Sequence, residues 1–243
     1  MGRERFFRFK EFGVHHERSA MKVGVDGVLI GAWAKGPDAP PLRILDAGTG
    51  CGLIALICAQ RFCHASVLGV DVDTPSIDEA SSNFSNSPWA ERLESRCADF
   101  MQMSRADFPL GFDMIISNPP FFDAGLTFGD NDARLRARHV GDFSPLSLIS
   151  HGADMLSDRG VIALISPVDQ LPEIETVVRE SGLHMHRLCS VYGSPQAPPK
   201  RVMIELGRMP QPSVDITSLY IYTPQRDYTA DYRSLTAPFY LNF

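Results

Sequence analysis

Cysteine is scarce and unpatterned. The five residues, Cys51, Cys58, Cys63, Cys97 and Cys189, are odd in number and form no CxxC pair. That argues against a disulfide framework or a zinc cluster and fits reduced thiols in the cytoplasm. No carboxylate or thiol stands at ligand spacing from His15–His16 or from His184 and His186, so no metal is expected. Long hydrophobic runs are missing too. The longest, at 27–34 and 52–59, reach about eight residues, far below the roughly 18 of a membrane span. The N-terminal MGRERFFRFK has no apolar segment of the kind a signal peptide needs. Phe6 stands where a myristoylation signal wants Ser or Thr. The 19 Gly and 18 Pro are too few and too scattered for a collagen-like or disordered chain. An excess of positive charge is also lacking: the net charge is −6, which by itself speaks against a nucleic-acid partner. The expectation is a soluble cytoplasmic protein.

What is present is a globular composition, 44% hydrophobic and 21% charged over 243 residues, enough for one large domain or two small ones. The charge is unevenly spread. Residues 1–22 hold Arg3, Arg5, Arg8, Lys10, Arg18 and Lys22 against Glu4, Glu11 and Glu17, a net +3, whereas residues 71–99 carry seven acids and two arginines. A second basic cluster is Arg134, Arg136, Arg138 and His139. Phosphate contacts respond to charge within a Debye length of ~10 Å, so a polyanion could dock on these patches despite the total. Charge alone leaves docking and ordinary solvated faces equally open.

From residue 42 onward, short apolar runs alternate with amphipathic stretches. Leu42–Leu45 ends at Asp46, Val67–Val70 at Asp71, Leu93–Cys97 at Asp99, Phe112–Ile116 at Ser117–Asn118 and Val161–Ile165 at Ser166–Pro167. Helical stretches lie at 53–57, 76–84, 145–156 and 171–181. Short strands alternating with helices predict βαβ units and a parallel sheet, an α/β fold. Leu188–Tyr192 and Val202–Leu206 flank a Pro-rich loop too short for a crossover helix, so this pair is expected to be antiparallel and to close the sheet edge. Residues 1–40 read as an extension packed on a domain of 41–243. A short helix is expected near Val28–Trp33 and a long loop over 118–143, a length that is usually functional.

Asp46-Ala47-Gly48-Thr49-Gly50-Cys51-Gly52 follows the first of these strands and opens a helix. Its glycines allow a tight turn and close approach to a ligand, and the helix start offers unpaired N–H groups. The spacing is G-x-G-x-G rather than G-x-G-x-x-G, which suits an adenosyl ligand bearing a carboxylate better than a dinucleotide; a purely structural turn competes with this. Asp71, about 20 residues on, stands where a carboxylate accepts from ribose hydroxyls. Asp99 is placed to meet an adenine edge with Phe100 to stack on the ring, or else to cap a helix. In Asn118-Pro119-Pro120-Phe121 the prolines fix an extended backbone, so that the Asn118 side chain and the Pro119 carbonyl can converge on an exocyclic NH2 while Phe121 stacks. Two acceptors there pull the nitrogen toward tetrahedral geometry and expose its lone pair. An Asn-Pro-Pro turn alone is often only a turn; beside a G-x-G-x-G strand end it gains weight, because open α/β sheets bind ligands along their carboxyl edge.

These motifs resemble those of class I S-adenosylmethionine-dependent methyltransferases acting on amino nitrogens. The runs 9–12, 20–34, 87–92 and 228–243 narrow the resemblance to the bacterial tRNA1(Val) (adenine-N6)-methyltransferase family, over nearly the whole chain. The resemblance implies a Rossmann-like, seven-stranded, mostly parallel sheet with an antiparallel C-terminal strand and helices on both faces. It implies S-adenosyl-L-methionine as cofactor and methylation of the adenosine 3′ of the anticodon of a tRNA. By the same resemblance Lys22, Asp26 and Gly27 belong to a flap over the cofactor, alongside Asp46, Gly48, Gly50, Gly52, Asp71, Asp99, Phe100 and Asn118. Arg3, Arg5, Arg8, Lys10, Arg134, Arg136 and Arg138 are the expected RNA contacts, and a monomer is expected. Phe121-Phe122 departs from the family's tyrosines: it keeps a stacking face but loses a hydroxyl. Protein-glutamine N5 methylation, rRNA guanine-N2 methylation and a non-catalytic RNA-binding adaptor are the alternatives.

Overall fold

The computed structural model describes residues 5–19, 21–38, 42–120 and 143–242. Phe121, Phe122 and the cluster Arg134, Arg136, Arg138 and His139 lie outside the described residues, as does Arg3.

The central sheet is built from strands β3 (Arg43–Ala47), β4 (Ser66–Asp71), β5 (Leu93–Cys97), β6 (Phe112–Ser117), β7 (Leu156–Pro167), β8 (His184–Tyr192), β9 (Pro199–Gly207) and β10 (Asp215–Tyr220). Their spatial order is β5-β4-β3-β6-β7-β9-β8-β10. All neighbours are parallel except β9, which runs antiparallel between β7 and β8. Strands β3, β6 and β7 are apolar on both faces, as a central parallel sheet covered on both sides requires. A separate hairpin, β1 (Phe6–Arg8) with β2 (Gly13–His15), precedes it.

Two expectations are corrected here. Among the described residues the sheet has eight strands, not seven, because β10 adds parallel to β8. The antiparallel strand is β9, an internal one, so the β8–β9 pair does not close the edge; β10 does. The sequence DITSLY hides β10 because only Leu219 of its six residues is buried, leaving little apolar alternation to read.

The helices are α1 (Val25–Trp33), α2 (Leu53–Arg61), α3 (Thr74–Ser85), α4 (Pro145–Met155), α5 (Leu171–Glu180) and α6 (Ala230–Thr236). They divide into two cores, one on each face of the sheet. Helices α1 and α2 build the first core with Phe9, Phe12, Phe84 and Phe239; α4 and α5 build the second with Phe100 and Phe112. Helix α1 is apolar nearly all round and buried from Gly27 to Trp33, so it works as a buried element rather than a surface amphipath. Local signals set the boundaries. Asp73 caps α3 by accepting from Ser76 N–H at 3.1 Å, with Pro75 in the first turn. Ser144 and Ser147 form a reciprocal cap on α4.

The N-terminal segment is tied to residues far along the chain. Phe9 is fully buried and stacks on Phe12 and Tyr240. Lys10 N–H donates to the Phe239 carbonyl at 2.8 Å, and its Nζ donates to the Ala237 carbonyl at 2.6 Å.

Candidate active site

The parallel strands place their carboxyl ends along one edge, and the topology centres that edge on β3, flanked by β4 and β6. The turn after β3 is therefore bracketed by Asp71 on one side and Asn118 on the other. Its shape is fixed from below. Asp46 is completely buried; its Oδ2 accepts from Thr49 Oγ1 at 2.6 Å and from Ala55 N–H at 3.1 Å. One carboxylate thus holds both the turn and the first residues of α2. The N–H groups of Gly48 and Thr49 both donate to the Val70 carbonyl at 2.9 Å, stitching the turn to β4. Gly48 and Gly52 are required: both take left-handed backbone, at φ +73° and +84°. A Cβ on Gly52 would also lie 2.4 Å from the Phe84 ring.

Asp71 faces this turn. Its Oδ2 accepts from Gly50 N–H at 2.9 Å and its Oδ1 from Asp73 N–H at 3.0 Å. A carboxylate has about four lone-pair sites, so each oxygen keeps capacity for a further donor such as a ribose hydroxyl. Burial raises the Asp71 carboxyl above the ordinary range against those backbone donors. Burial lifts Asp46 much further, to about 7, only partly offset by the Thr49 hydroxyl and Ala55 N–H.

The opposite wall comes from the N-terminal segment. Met21, Lys22, Gly24, Val25, Asp26 and Gly27 line a cleft of about 260 Å³ against Gly48, Thr49, Gly50, Cys51, Leu53, Ile54 and Asn118. The structure holds this wall with residues that the sequence did not single out. Glu79 on α3 is buried and accepts from the N–H groups of Glu17, Arg18 and Ser19 at 2.6, 3.0 and 2.9 Å. Burial pushes the Glu79 carboxyl up, but those donors outweigh it and hold the group below its ordinary value. One turn further, Asn83 accepts from His15 N–H at 2.9 Å and donates Nδ2 to the carbonyls of His15 and Cys51, both at 2.8 Å. The only signal available was Glu79 and Asn83 standing four residues apart on one face of a helix.

Lys22 borders the cleft, yet its Nζ donates to the carbonyls of His16, Glu17 and Ser19, so it shapes the flap from within. Asp26 borders it as well and pairs with Arg201 Nε at 2.9 Å. Asp99 takes the capping role, accepting from Met101 N–H at 2.9 Å at the head of a short 3-10 turn. Phe100 is 4% exposed and packs edge-on against Phe143 and His151, in the second core rather than open to a ligand ring. Of the expected RNA contacts, Arg5 pairs with Glu17 at 2.7 Å, Arg8 is exposed on β1, and Lys10 is engaged by the carbonyl of Ala237.

Asn118 is the polar group at the floor. Its Oδ1 is buried with no hydrogen-bond partner among the described residues. A buried amide oxygen without a donor costs about 1–3 kcal/mol, so a donor supplied from the cleft is stabilising there. Ser117 Oγ donates to the Ala47 carbonyl at 2.6 Å and locks the end of β6 to the end of β3, which fixes Asn118 beside the glycine turn. The set fits an adenosyl amino-acid ligand: acceptors at Asp71, a left-handed glycine turn that leads into the start of α2, and a wall that lines the other side of the cleft.

Among the described residues no cluster of three or more metal-ligating side chains occurs, and no helix is long and apolar enough to cross a membrane. The model of the methyltransferase small domain matches residues 37–134. The fold is similar to that of a predicted O-methyltransferase from Agrobacterium tumefaciens, with a TM-score of 0.67 at 18% identity over 88% of this chain and 96% of that one. A tRNA1(Val) (adenine(37)-N6)-methyltransferase of Bacteroides fragilis is 39% identical over 97% of this chain and 98% of its own length. One of Vibrio campbellii is 34% identical over 97% and 95%. With the glycine turn, the half-buried Asn118 and the N-terminal wall in place, this similarity along nearly the full length makes the chain a member of the tRNA1(Val) (adenine(37)-N6)-methyltransferase family.

Proposed function

We propose that this protein methylates the N6 amine of adenosine 37, the residue 3′ of the anticodon, in tRNA1(Val), using S-adenosyl-L-methionine. The observation that carries the reading is the buried Asn118 Oδ1 at the floor of the cleft, an acceptor with no donor among the described residues. The relatives named for this reaction align along almost the entire chain and support the choice of amine and RNA.

Asp71 and the Gly48–Gly52 turn hold the cofactor, with Lys22, Asp26 and Gly27 closing over it. When bound, S-adenosyl-L-methionine supplies an electrophilic methyl group on a sulfonium. Asn118 Oδ1 and the Pro119 carbonyl accept the two N6 hydrogens of the adenosine. That holds the nitrogen in place and moves its lone pair out of conjugation with the ring. A stacked base cannot reach the cleft, so the adenosine is splayed out of the loop, with Phe121 as the stacking face beside Pro119. Orientation of this kind supplies up to ~7–11 kcal/mol without a strong general base, since the methylated amine gives its extra proton to water.

The test is incubation of the purified protein with unmodified total tRNA and methyl-labelled cofactor, followed by digestion to nucleosides and mass spectrometry. Label in N6-methyladenosine is the expected result. Label in another nucleoside moves the target, and no label in RNA, with cofactor binding intact, refutes the reading in favour of a protein substrate.

A further inference from the structure

The antiparallel insertion of β9 brings the connection between β8 and β9 to the same edge as Asn118. Register fixes the geometry: Ser117 lies opposite Leu164, Pro167 opposite Arg201, and Tyr192 opposite both Pro199 and Tyr220. At a strand spacing of about 4.8 Å, β9 and β8 stand roughly 10 and 14 Å along the edge from the strand bearing Asn118. Beyond β10 the chain keeps pairing there, with Ile221 N–H donating to the Tyr192 carbonyl at 2.9 Å and Tyr222 N–H to the Gly193 carbonyl at 3.0 Å.

This rim differs in charge from the rest of the molecule. The chain averages about one acid in every eight residues, but 188–204 and 216–226 contain none; they contribute Lys200, Arg201 and Arg226. Arg201 is committed to Asp26. Lys200 and Arg226 are exposed and make no ion pair among the described residues. Arg226 is also the one non-glycine among the described residues with left-handed backbone, at φ 69°. Such a conformation persists where its surroundings enforce it, and it concentrates at binding sites. The rim also presents aromatic faces. Tyr222 and Tyr228 are stacked at 5.1 Å and are 39% and 36% exposed; Tyr228 is stacked in turn on the buried Tyr232 at 5.0 Å, so Tyr222 is the outer ring of the stack, and Tyr192 stacks on Tyr220 at 4.6 Å. The acid-free stretch ends at Asp227, which bounds the surface.

An exposed tyrosine ring at the end of a stack, with exposed cations on the same edge of the sheet, is what unpaired nucleotides require, stacking for the bases and charge for the phosphates. We infer that Lys200, Arg226 and Tyr222, the last backed by Tyr228, form a docking rim for the unpaired loop nucleotides that flank the target adenosine. The inference rests on the tRNA reading above. It also relocates RNA contact: Lys10 of the N-terminal arm is tied to residue 237, and residue 238 accepts from Gln60 at the far end of α2 from the cleft.

The test compares wild type with Lys200→Glu/Arg226→Asn, the Asn chosen because it tolerates left-handed backbone, and with Tyr222→Ala/Tyr228→Ala and Tyr222→Phe/Tyr228→Phe. Binding of a tRNA1(Val) transcript is measured across a salt series, with cofactor affinity and thermal midpoint recorded for each variant. Each phosphate contact to a single strand contributes about 0.7 to the slope of log K against log salt, so the charge variant should flatten that slope by about 1.4. Removing the two rings should weaken binding at least ~fivefold, with the Phe pair retaining it, because stacking needs the face and not the hydroxyl. Unchanged slope and affinity in folded variants, with the wild type methylating the transcript, overturn the rim alone. A wild type that neither binds nor methylates RNA overturns the tRNA reading, and the rim falls with it. The charge variant sits at exposed positions, so it decides the matter even if the double alanine fails to fold.

Discussion

Replacing Glu79 by Gln isolates the grip that α3 has on the cleft wall. The substitution keeps the shape and removes the charge. Oε1 now accepts two backbone N–H groups at 2.6 and 3.0 Å with a full negative charge; the amide oxygen keeps them at neutral strength. The third donor, Ser19 N–H, now 2.9 Å from Oε2, would face an NH2 group and lose its partner. Hydrogen bonds to charged groups contribute about 1.5–3 kcal/mol and neutral ones about 1, so the segment loses roughly 3 kcal/mol, on the order of 100-fold in its opening equilibrium. Amide hydrogen exchange at Glu17, Arg18 and Ser19 reads that equilibrium directly and should accelerate by about that factor, while strands β3 and β6 keep their protection. Met21 and Lys22 belong to the same segment, so cofactor affinity should fall as the closed fraction falls. In wild type the same opening should occur in acid. A carboxyl held below its ordinary 4.5 stabilises the segment above that pH and ceases to as pH falls through the lowered value. Exchange at these three amides within threefold of wild type, with unchanged cofactor affinity, would refute the assignment of Glu79 as the anchor of the wall.

Two further outcomes follow from the site. Asn118→Ala should lower turnover about 100-fold or more, the scale for losing one group aimed at developing charge, while calorimetry shows cofactor affinity within a few-fold of wild type; weak cofactor binding with normal turnover would remove Asn118 from the amine. Asp46, lifted by burial to about 7 from 3.8, binds its proton more tightly folded than unfolded, so its contribution to stability declines as pH rises between those values. The decline is worth about 4 kcal/mol at most. Chemical denaturation of Asp46→Asn should lack that fall between about pH 4 and 7, and curves parallel to wild type would show that the carboxyl stays ionised.

The strand ends were legible because each parallel strand stops at a polar residue the edge needs: Asp46, Asp71 and Asn118 announce themselves after apolar runs. The eighth strand and the β1–β2 hairpin were not legible, since β10 buries a single side chain and each hairpin strand has three residues. Asp99 and Phe100 show the limit at the site itself. An acid followed by an aromatic at a strand end reads equally as a ligand contact or as a cap with a core anchor, and here the cap bond to Met101 and the 4% exposure of Phe100 describe the second arrangement. Glu79 escaped notice for a different reason. A helical acid is ordinarily solvated, and only tertiary structure brings three N–H groups from 60 residues away onto it.

The bond from Lys10 to residue 237 spans 227 positions of sequence. Ribosomes add about 5–20 residues per second, so the N-terminal hairpin waits roughly 10–50 s for the segment that completes its packing. The glycine turn, Asp71 and the grip of Glu79 and Asn83 on the wall can all assemble during that interval, but the hairpin that leads into the wall lacks its packing partner. A nascent chain therefore holds the wall by α3 alone throughout synthesis and gains the support behind the hairpin only when residues 230–240 emerge. Full support of the cleft wall is in this way coupled to completion of the domain.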